Sequence, residues 1–268
     1  MEAMQSISSF LDEIQANGRV TFTLDELDDL LPIKRSSVSR ELTRLTQKRA
    51  IVPIKSGFYS ILLPTEKKQG VPSPKRFIQQ LMAYLDKPYY VSLLTAAAWH
   101  GAAHHAPMTF HVTTTYPAIR DIKKKSVHVH LLFTSKFPTK GVIQKKTDVG
   151  FMQVSSPALT MLDLIKYERS VGRLERSAEV IYELAEQVEA ADLKSVLPLF
   201  SLRALQRLGY ILERVIEETR LHPVVFTFLK HEKLKYIPLI SSHDDVLISK
   251  DDKWKIKVNE VMHTIYGM

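Results

Sequence analysis

The first 63 residues contain three short helical segments followed by two strand-like segments, and this order constrains the fold more than any other feature. Apolar residues recur at helical spacing from Ser6 to Gln15, which predicts a first helix that ends at Gly18. Thr23 and Glu26 have the spacing of a capping box, so we expect a second helix to begin there. Pro32 would then end it.

A third helix is predicted from Ser36 to about Lys48, and the strands of a hairpin follow it directly. We expect these strands at Ala50–Ile54 and Phe58–Leu63, with Pro53 marking the first as an edge strand. Three helices followed by a hairpin are the order of a winged helix-turn-helix. We therefore expect residues 1–63 to form a domain of this type.

The rest of the chain is predicted to be a linker and a larger domain of the α+β class. Residues 64–75, PTEKKQGVPSPK, combine three prolines with several lysines, as interdomain linkers do. Residues 76–268 mix helical and alternating patterns, and the order of their strands does not follow from the sequence. The predicted strands are Thr109–Thr114, Ser126–Thr134, Phe151–Ser155, Val246–Ile248 and Trp254–Val258, and the predicted helices are Arg76–Tyr84, Val91–Trp99 and the amphipathic segments Ala158–Glu168, Glu175–Gln187 and Leu202–Thr219.

The composition excludes several classes of protein. The chain has no cysteine, which rules out disulfides, thiol catalysis and cysteine-ligated zinc and suits a cytoplasmic protein. We expect no membrane span and no secretory signal, because no apolar run of about 18 residues occurs and the first residues lack a basic and an apolar region. The net charge is +8, and residues 64–150, with 13 basic and 4 acidic side chains, hold the excess. This bias favours a polyanionic partner.

The third predicted helix carries a face suited to DNA. On a helical wheel Val38, Leu42 and Leu45 form a narrow apolar stripe that must face the core. The opposite face carries hydroxyls, a glutamine and two arginines, which are residue types that read base edges and bind phosphates. With the hairpin added, the predicted DNA contacts are Ser36, Ser37, Ser39, Arg40, Thr43, Arg44, Gln47, Lys55, Ser56 and Tyr59. The alternatives are a merely solvated surface and a protein-docking module.

A second basic region lies in the middle of the chain. It is a candidate for a secondary nucleic-acid contact and consists of Lys123, Lys124, Lys125, Lys145 and Lys146. Solvated loops between strands, or a site for an acidic protein, would give the same pattern.

Two groups of residues indicate chemistry as an alternative. His100, His104 and His105, with the strand pair His128 and His130, have spacings found in metal sites, but no acidic ligand lies near them in the sequence. A structural role is therefore the preferred interpretation. The acids Asp244, Asp245, Asp251 and Asp252 with Lys255 and Lys257 faintly resemble a metal-dependent nuclease core, and two polar turns explain them equally. No phosphate-binding loop or protease signature occurs. We expect no catalytic site, metal or cofactor, with a nuclease-like C-terminal domain as the alternative.

Four stretches resemble the AbiEi-like antitoxins of abortive-infection, type IV toxin–antitoxin operons. They are KSGFYS at residues 55–60, YYVSLLTAAAWHG at Tyr89–Gly101, VSSPALTMLDLIKY at Val154–Tyr167 and KWKIKVNE at Lys253–Glu260. A strand-rich basic region separates the second from the third, so the resemblance covers most of the chain.

The resemblance implies an antitoxin that represses its own operon by binding inverted repeats in its promoter. The winged helix would contact the DNA, and the C-terminal domain would counteract a nucleotidyltransferase-like toxin encoded downstream, without the need for a stable complex. By position, the implied DNA contacts are Ser36, Arg40, Thr43, Arg44 and Gln47. The wheel selects the same five residues independently.

Overall fold

The computed structural model describes residues 6–30, 34–102, 107–147, 150–240 and 247–262. Its helices are α1 Ile7–Ala16, α2 Leu24–Leu30, α3 Arg35–Gln47, α4 Ile78–Tyr84, α5 Leu93–Trp99, α6 Pro157–Lys166, α7 Arg173–Ala185, α8 Ala190–Val196, α9 Leu202–Tyr210 and α10 His222–Leu229. Its strands are β1 Thr21–Thr23, β2 Ile51–Lys55, β3 Phe58–Ile61, β4 Tyr89–Val91, β5 Thr109–Thr115, β6 Ile122–Lys124, β7 Val127–Thr134, β8 Val142–Thr147, β9 Gly150–Ser155, β10 Ile237–Pro238, β11 Ser249–Asp251 and β12 Ile256–Val258. The predicted α+β class is confirmed. None of the described helices has the length and apolar character needed to cross a membrane.

The N-terminal region combines three helices with a three-stranded sheet, an arrangement compatible with the predicted winged helix. Its strands form a sheet in the order β1-β3-β2, so Pro53 lies on an edge strand as predicted. The capping box is present at the start of α2: the Glu26 amide donates to Thr23 Oγ1 at 3.1 Å, and the Thr23 amide donates to Glu26 Oε2 at 2.8 Å. Strand β1 was not predicted, because three residues are too few to show an alternating pattern.

The second domain is built on a six-stranded mixed sheet in the order β6-β7-β5-β4-β9-β8. The antiparallel hairpins β6–β7 and β8–β9 form its two edges, and β7 runs parallel to β5 as β9 does to β4. The predicted strand Ser126–Thr134 corresponds to β7, and neither β6 nor β8 was predicted. The residues of β8, VIQKKT, are half-buried or exposed without apolar alternation. Residue Val91, predicted to begin a helix, ends β4 instead.

Helix α6 lies at the centre of the main core. The helix predicted over Ala158–Glu168 is present as α6, but all eight residues from Ala158 to Ile165 are buried, so its predicted amphipathic character is wrong. A helix that is buried on every side packs between layers, and α5, α7 and α9 contact this one. Ser156 caps it by accepting the Leu159 amide at 3.3 Å.

A small C-terminal sheet, in the order β10-β12-β11, closes the core beside α9. Trp254 is fully buried and lies so close to Gly209 that a Cβ there would overlap its ring. Its Nε1 donates to Glu213 Oε2 at 2.6 Å. The predicted strand Val246–Ile248 begins outside the described residues, and the observed strand is β11.

The segment between the two domains makes defined contacts. Glu66 and Arg76 form an ion pair at 2.5 Å with only 13% and 10% of their side chains exposed, and Val71 is buried. Ile54 and Phe58 of the hairpin belong to the same apolar cluster as residues of α4 and of the six-stranded sheet. The hairpin thus shares an apolar cluster with α4 and the six-stranded sheet, and the division at residues 1–63, 64–75 and 76–268 stays a prediction.

Candidate nucleic-acid interface

The apolar stripe predicted for α3 fixes the orientation of this helix. Val38, Leu42 and Leu45 are buried in the core of the N-terminal domain, as the wheel predicted. Thr43 Oγ1 donates to the carbonyl of Ser39 at 2.9 Å, which leaves its lone pairs available to donors outside the helix. The opposite face of α3 is therefore exposed, polar and held in place by the core.

The exposed face of α3 divides into two ridges. The first, here the hydroxyl ridge, faces the hairpin, and the second, here the arginine ridge, lies on its far side. The hydroxyl ridge consists of Ser36, Ser39, Thr43 and Gln47, and the arginine ridge consists of Arg40 and Arg44. All six side chains belong to exposed residues of the predicted set. Ser37 is half-buried in the first turn, where its amide donates to the Lys34 carbonyl at 2.7 Å.

A groove of about 600 Å³ separates α3 from the hairpin. The hydroxyl ridge and Arg35 line one side, and Pro53 and Tyr59 line the other. The Tyr59 ring stacks on Phe22 with centroids 5.3 Å apart and an interplanar angle of 11°. This stacking makes Tyr59 a fixed wall of the groove.

The two arginines of the arginine ridge are held differently. Arg44 Nε donates to Glu41 Oε2 at 2.7 Å, and a second hydrogen bond joins its Nη2 to Oε1. This pairing lowers the pKa of Glu41 and raises that of Arg44. Arg40 Nε donates to the carbonyl of Ser36 at 3.4 Å. Because the Arg44–Glu41 pair is exposed, phosphate can compete with the carboxylate for this guanidinium.

The tip of the hairpin faces the second domain. The Tyr84 hydroxyl of α4 donates to the Ser56 carbonyl at 3.3 Å, and a Cβ at Gly57, where φ is +74°, would overlap that hydroxyl. Ser56 is exposed and Lys55 is half-buried. Of the three hairpin residues predicted to contact DNA, Tyr59 lines the groove, whereas Lys55 and Ser56 lie at the anchored tip.

The lysines of the second basic region lie at opposite edges of the six-stranded sheet. Lys123 and Lys124 are on edge strand β6, and Lys145 and Lys146 are on edge strand β8. With a spacing of about 4.8 Å between neighbouring strands, the two edges are roughly 24 Å apart. Lys145 Nζ also donates to the carbonyl of Trp99. The structure therefore separates residues that lie close together in the sequence.

The β6 edge of this region adjoins the N-terminal domain. Strand β6 contacts β2 of the hairpin, and β2 contacts α3. Lys125 Nζ lies against Gly70, at the position where a Cβ would be. Lys123 and Lys125 are exposed, so this edge of the sheet carries basic side chains as α3 does.

The residues that suggested a nuclease have other partners. Asp251 Oδ2 accepts Arg214 Nε at 2.9 Å, and its Oδ1 accepts the Trp254 amide at 2.8 Å. The Asp252 carboxylate is exposed and accepts the Tyr236 hydroxyl. These adjacent acids bind separate partners and do not converge. The other candidate residues, Asp244, Asp245, His104 and His105, lie outside the described residues.

The histidines fall into two environments. His100 Nε2 donates to the Ser155 carbonyl at 2.7 Å, and burial lowers the pKa of His100, as a structural role requires. His128 and His130, in contrast, meet Asp121, the acidic neighbour that sequence reasoning missed. Recognising β6 as a separate strand, paired antiparallel with β7, would have placed Asp121 beside His130.

Residues 90–214 match the family described as the AbiEi antitoxin C-terminal domain, which confirms the resemblance seen in the sequence and supports an antitoxin role in general terms. No curated protein matches the chain. The crystal structure of the RV2827C protein from Mycobacterium tuberculosis is similar with a TM-score of 0.64 at 15% identity, over 95% of this chain and 92% of that one. At this identity the likeness shows the fold alone.

Proposed function

We propose that this chain, whose residues 90–214 match the AbiEi antitoxin C-terminal domain, is an antitoxin that represses transcription of its own operon. The winged helix binds inverted repeats in the promoter, and the second domain counteracts a nucleotidyltransferase-like toxin encoded by the same operon. The proposal of DNA binding rests on the exposed polar face of α3, which lies beside an open groove. The proposal that the second domain counteracts a toxin rests on the family match and on the resemblance. Neither activity requires a catalytic group or a cofactor.

The two ridges of α3 suit different parts of a DNA duplex. A helix of 13 residues is roughly 20 Å long and fits the major groove, which is about 12 Å wide. Gln47 can bond adenine through two hydrogen bonds, and either arginine can bond guanine in the same way. The hydroxyls of Ser36 and Ser39 offer short donors to phosphates or base edges, and the Thr43 hydroxyl offers an acceptor to the amino groups of bases.

The charges around α3 support one orientation on DNA. Helix α2 carries Asp25, Asp28 and Asp29, and Arg35 of α3 lies 3.6 Å from Asp28. Phosphates are repelled from the acidic helix and attracted to the arginine ridge and to the β6 edge. A polarised surface of this kind aligns the domain during encounter even though residues 1–63 are neutral in sum.

Fluorescence anisotropy tests DNA binding directly. The full chain is titrated into the duplex from upstream of its own gene and into a shuffled duplex, over a range of salt concentrations. We expect tighter binding to the native duplex, and a loss of at least about tenfold in the Arg40→Ala/Arg44→Ala double variant. The matched control, Arg176→Ala/Lys194→Ala, removes the same charge from α7 and α8 and keeps wild-type affinity. Equal affinity for both duplexes refutes the repressor.

A growth assay tests the antitoxin part separately. The chain is co-expressed with the product of the neighbouring toxin gene, while a reporter measures repression of the promoter. Wild type restores growth and represses the reporter. The Arg40→Ala/Arg44→Ala variant still restores growth but no longer represses, because its second domain is unchanged. If the wild-type chain fails to restore growth, the proposal that it is an antitoxin is wrong.

One observation favours direct docking of a protein at the same place. The groove is lined by the apolar side chains of Leu24, Leu42, Pro53 and Tyr59 as well as by polar ones, as grooves that accept partner helices are. The test is whether purified toxin binds the full chain and a Thr43→Trp variant, in which the tryptophan fills the groove. If the wild type binds toxin and the variant does not, docking is the function of this face. Binding that survives Thr43→Trp excludes the groove.

A further inference from the structure

We propose that Asp121, His128 and His130 form a binding site for zinc or a similar divalent transition-metal ion on one face of the six-stranded sheet. One ligand atom from each residue lies within 4.8 Å of the other two. Among the residues that the structure describes, no other three His, Asp or Glu side chains meet in this way. No residue of α3 belongs to this site, which adjoins Lys123 on the β6 edge.

The pairing of β6 with β7 brings the three ligands together. Residues two apart on a strand point to the same face, so His128 and His130 lie side by side on β7. The antiparallel register places Ile122 opposite Val129, so Asp121, one residue earlier, lies opposite His130. The three side chains therefore project from two hydrogen-bonded strands, and the backbone fixes their spacing.

The distances suit a metal ion. Asp121 Oδ2 lies 3.1 Å from His128 Nε2 and 2.8 Å from His130 Nδ1. A tetrahedral zinc ion with bonds of about 2.1 Å holds its ligand atoms about 3.4 Å apart. The carboxylate oxygen needs to move about half an ångström away from each imidazole nitrogen, and the two imidazole nitrogens lie within 4.8 Å of each other.

The atoms that would not bind the metal already have partners. The other oxygen of the carboxylate accepts the Leu131 amide at 2.9 Å. The Nδ1 of His128 lies 3.4 Å from Thr109 Oγ1, and the Nε2 of His130 lies 3.4 Å from Ser170 Oγ. Contacts of this type orient imidazole and carboxylate ligands in metal sites and select the nitrogen that binds.

The chemistry of the three ligands selects the ion. Two imidazole nitrogens and one carboxylate oxygen suit zinc and other late divalent transition metals, whereas magnesium and calcium prefer ligand sets made of oxygen alone. The three side chains are between 26% and 34% exposed, which leaves a path for the ion and a fourth coordination position for water.

The alternative is a carboxylate that only accepts hydrogen bonds from the two imidazoles. Titration of the full chain with zinc against a chromophoric chelator distinguishes the two. The proposal predicts one zinc ion per chain, together with intense visible absorption when cobalt(II) replaces zinc, as tetrahedral sites show. Magnesium does not compete. If the wild-type chain binds zinc no more tightly than the His130→Ala and Asp121→Asn variants do, the proposal is wrong.

Three variants locate the zinc. His130→Ala and Asp121→Asn are expected to weaken zinc binding at least about tenfold, on the scale seen even for residues that only support a ligand. Asp121→Asn keeps an oxygen for the Leu131 amide, so it tests the ligand in a folded chain. The control, His231→Ala, removes an exposed histidine after α10 and leaves affinity unchanged. Binding that both ligand variants retain places the zinc elsewhere and refutes the site.

Discussion

Replacing Glu41 by glutamine is expected to strengthen DNA binding. Glu41 is the only acid in the sequence of α3, and its carboxylate holds the Arg44 guanidinium through two hydrogen bonds. Glu41→Gln removes the charge that binds Arg44 and the repulsion that the carboxylate exerts on phosphate. The freed guanidinium can then bind a phosphate oxygen.

The salt dependence gives the size of this effect. Each additional phosphate contact steepens the plot of log affinity against log salt concentration by about 0.9. Between about 50 and 200 mM salt, a fourfold change, one extra contact makes the advantage of Glu41→Gln over wild type shrink by about 3.5-fold. The gain is therefore largest at low salt.

The assay is fluorescence anisotropy with the native promoter duplex at both salt concentrations. Glu41→Gln is compared in the wild-type and Arg44→Ala backgrounds, because a gain that passes through Arg44 must vanish when Arg44 is absent. Glu13→Gln on α1 removes the same charge at another exposed position and controls for net charge. A Glu41→Gln advantage that persists with Arg44→Ala, or that is equal at both salt concentrations, refutes the reasoning.

Three further predictions concern other parts of the chain. Lys123→Ala/Lys124→Ala should flatten the salt dependence of DNA binding by up to about 1.8, measured by the same titration, if the β6 edge contacts phosphates. Gly209→Ala, which forces a methyl group into the Trp254 ring, should lower the free energy of unfolding by about 1–3 kcal/mol in a urea titration. Burial raises the pKa of Asp163 from 3.8 to about 7, so the folded chain keeps a proton that the unfolded chain releases. Stability should therefore fall as the pH rises from about 4 to 7, and Asp163→Asn should abolish this decline in urea midpoints.

The N-terminal domain could be predicted because its signals are local. The helical spacing of α1, the capping box at Thr23 and the buried stripe of α3 all lie within single elements. The second domain was harder. Strand β8 lies at an edge without apolar alternation, and α6 is buried all round, so neither has the two-sided pattern that sequence reasoning uses.

In the candidate sites, too, the features that lie within one element could be predicted, and those that depend on several elements could not. The exposed face of α3 followed from one helical wheel. The separation of Lys123 from Lys146 could not be predicted, because it depends on the order of the strands in the sheet, and that order joins residues far apart in the chain. Asp121 was missed for the same reason. The anchoring of the hairpin by Tyr84 joins residues 28 positions apart and has no local signature.

The apolar cluster that the hairpin shares with α4 has a mechanical consequence. Ile54 and Phe58 are embedded beside Phe77 and Leu81, and α3 packs on the same hairpin, so the cluster couples the orientation of α3 to that of the six-stranded sheet. If two copies also contact each other on an inverted repeat, their α3 helices are held at a fixed separation and rotational phase. Repression should tolerate an insertion of a full turn of DNA between the half-sites better than an insertion of half a turn. A toxin that displaced α4 would, by reciprocity, change the affinity for the operator.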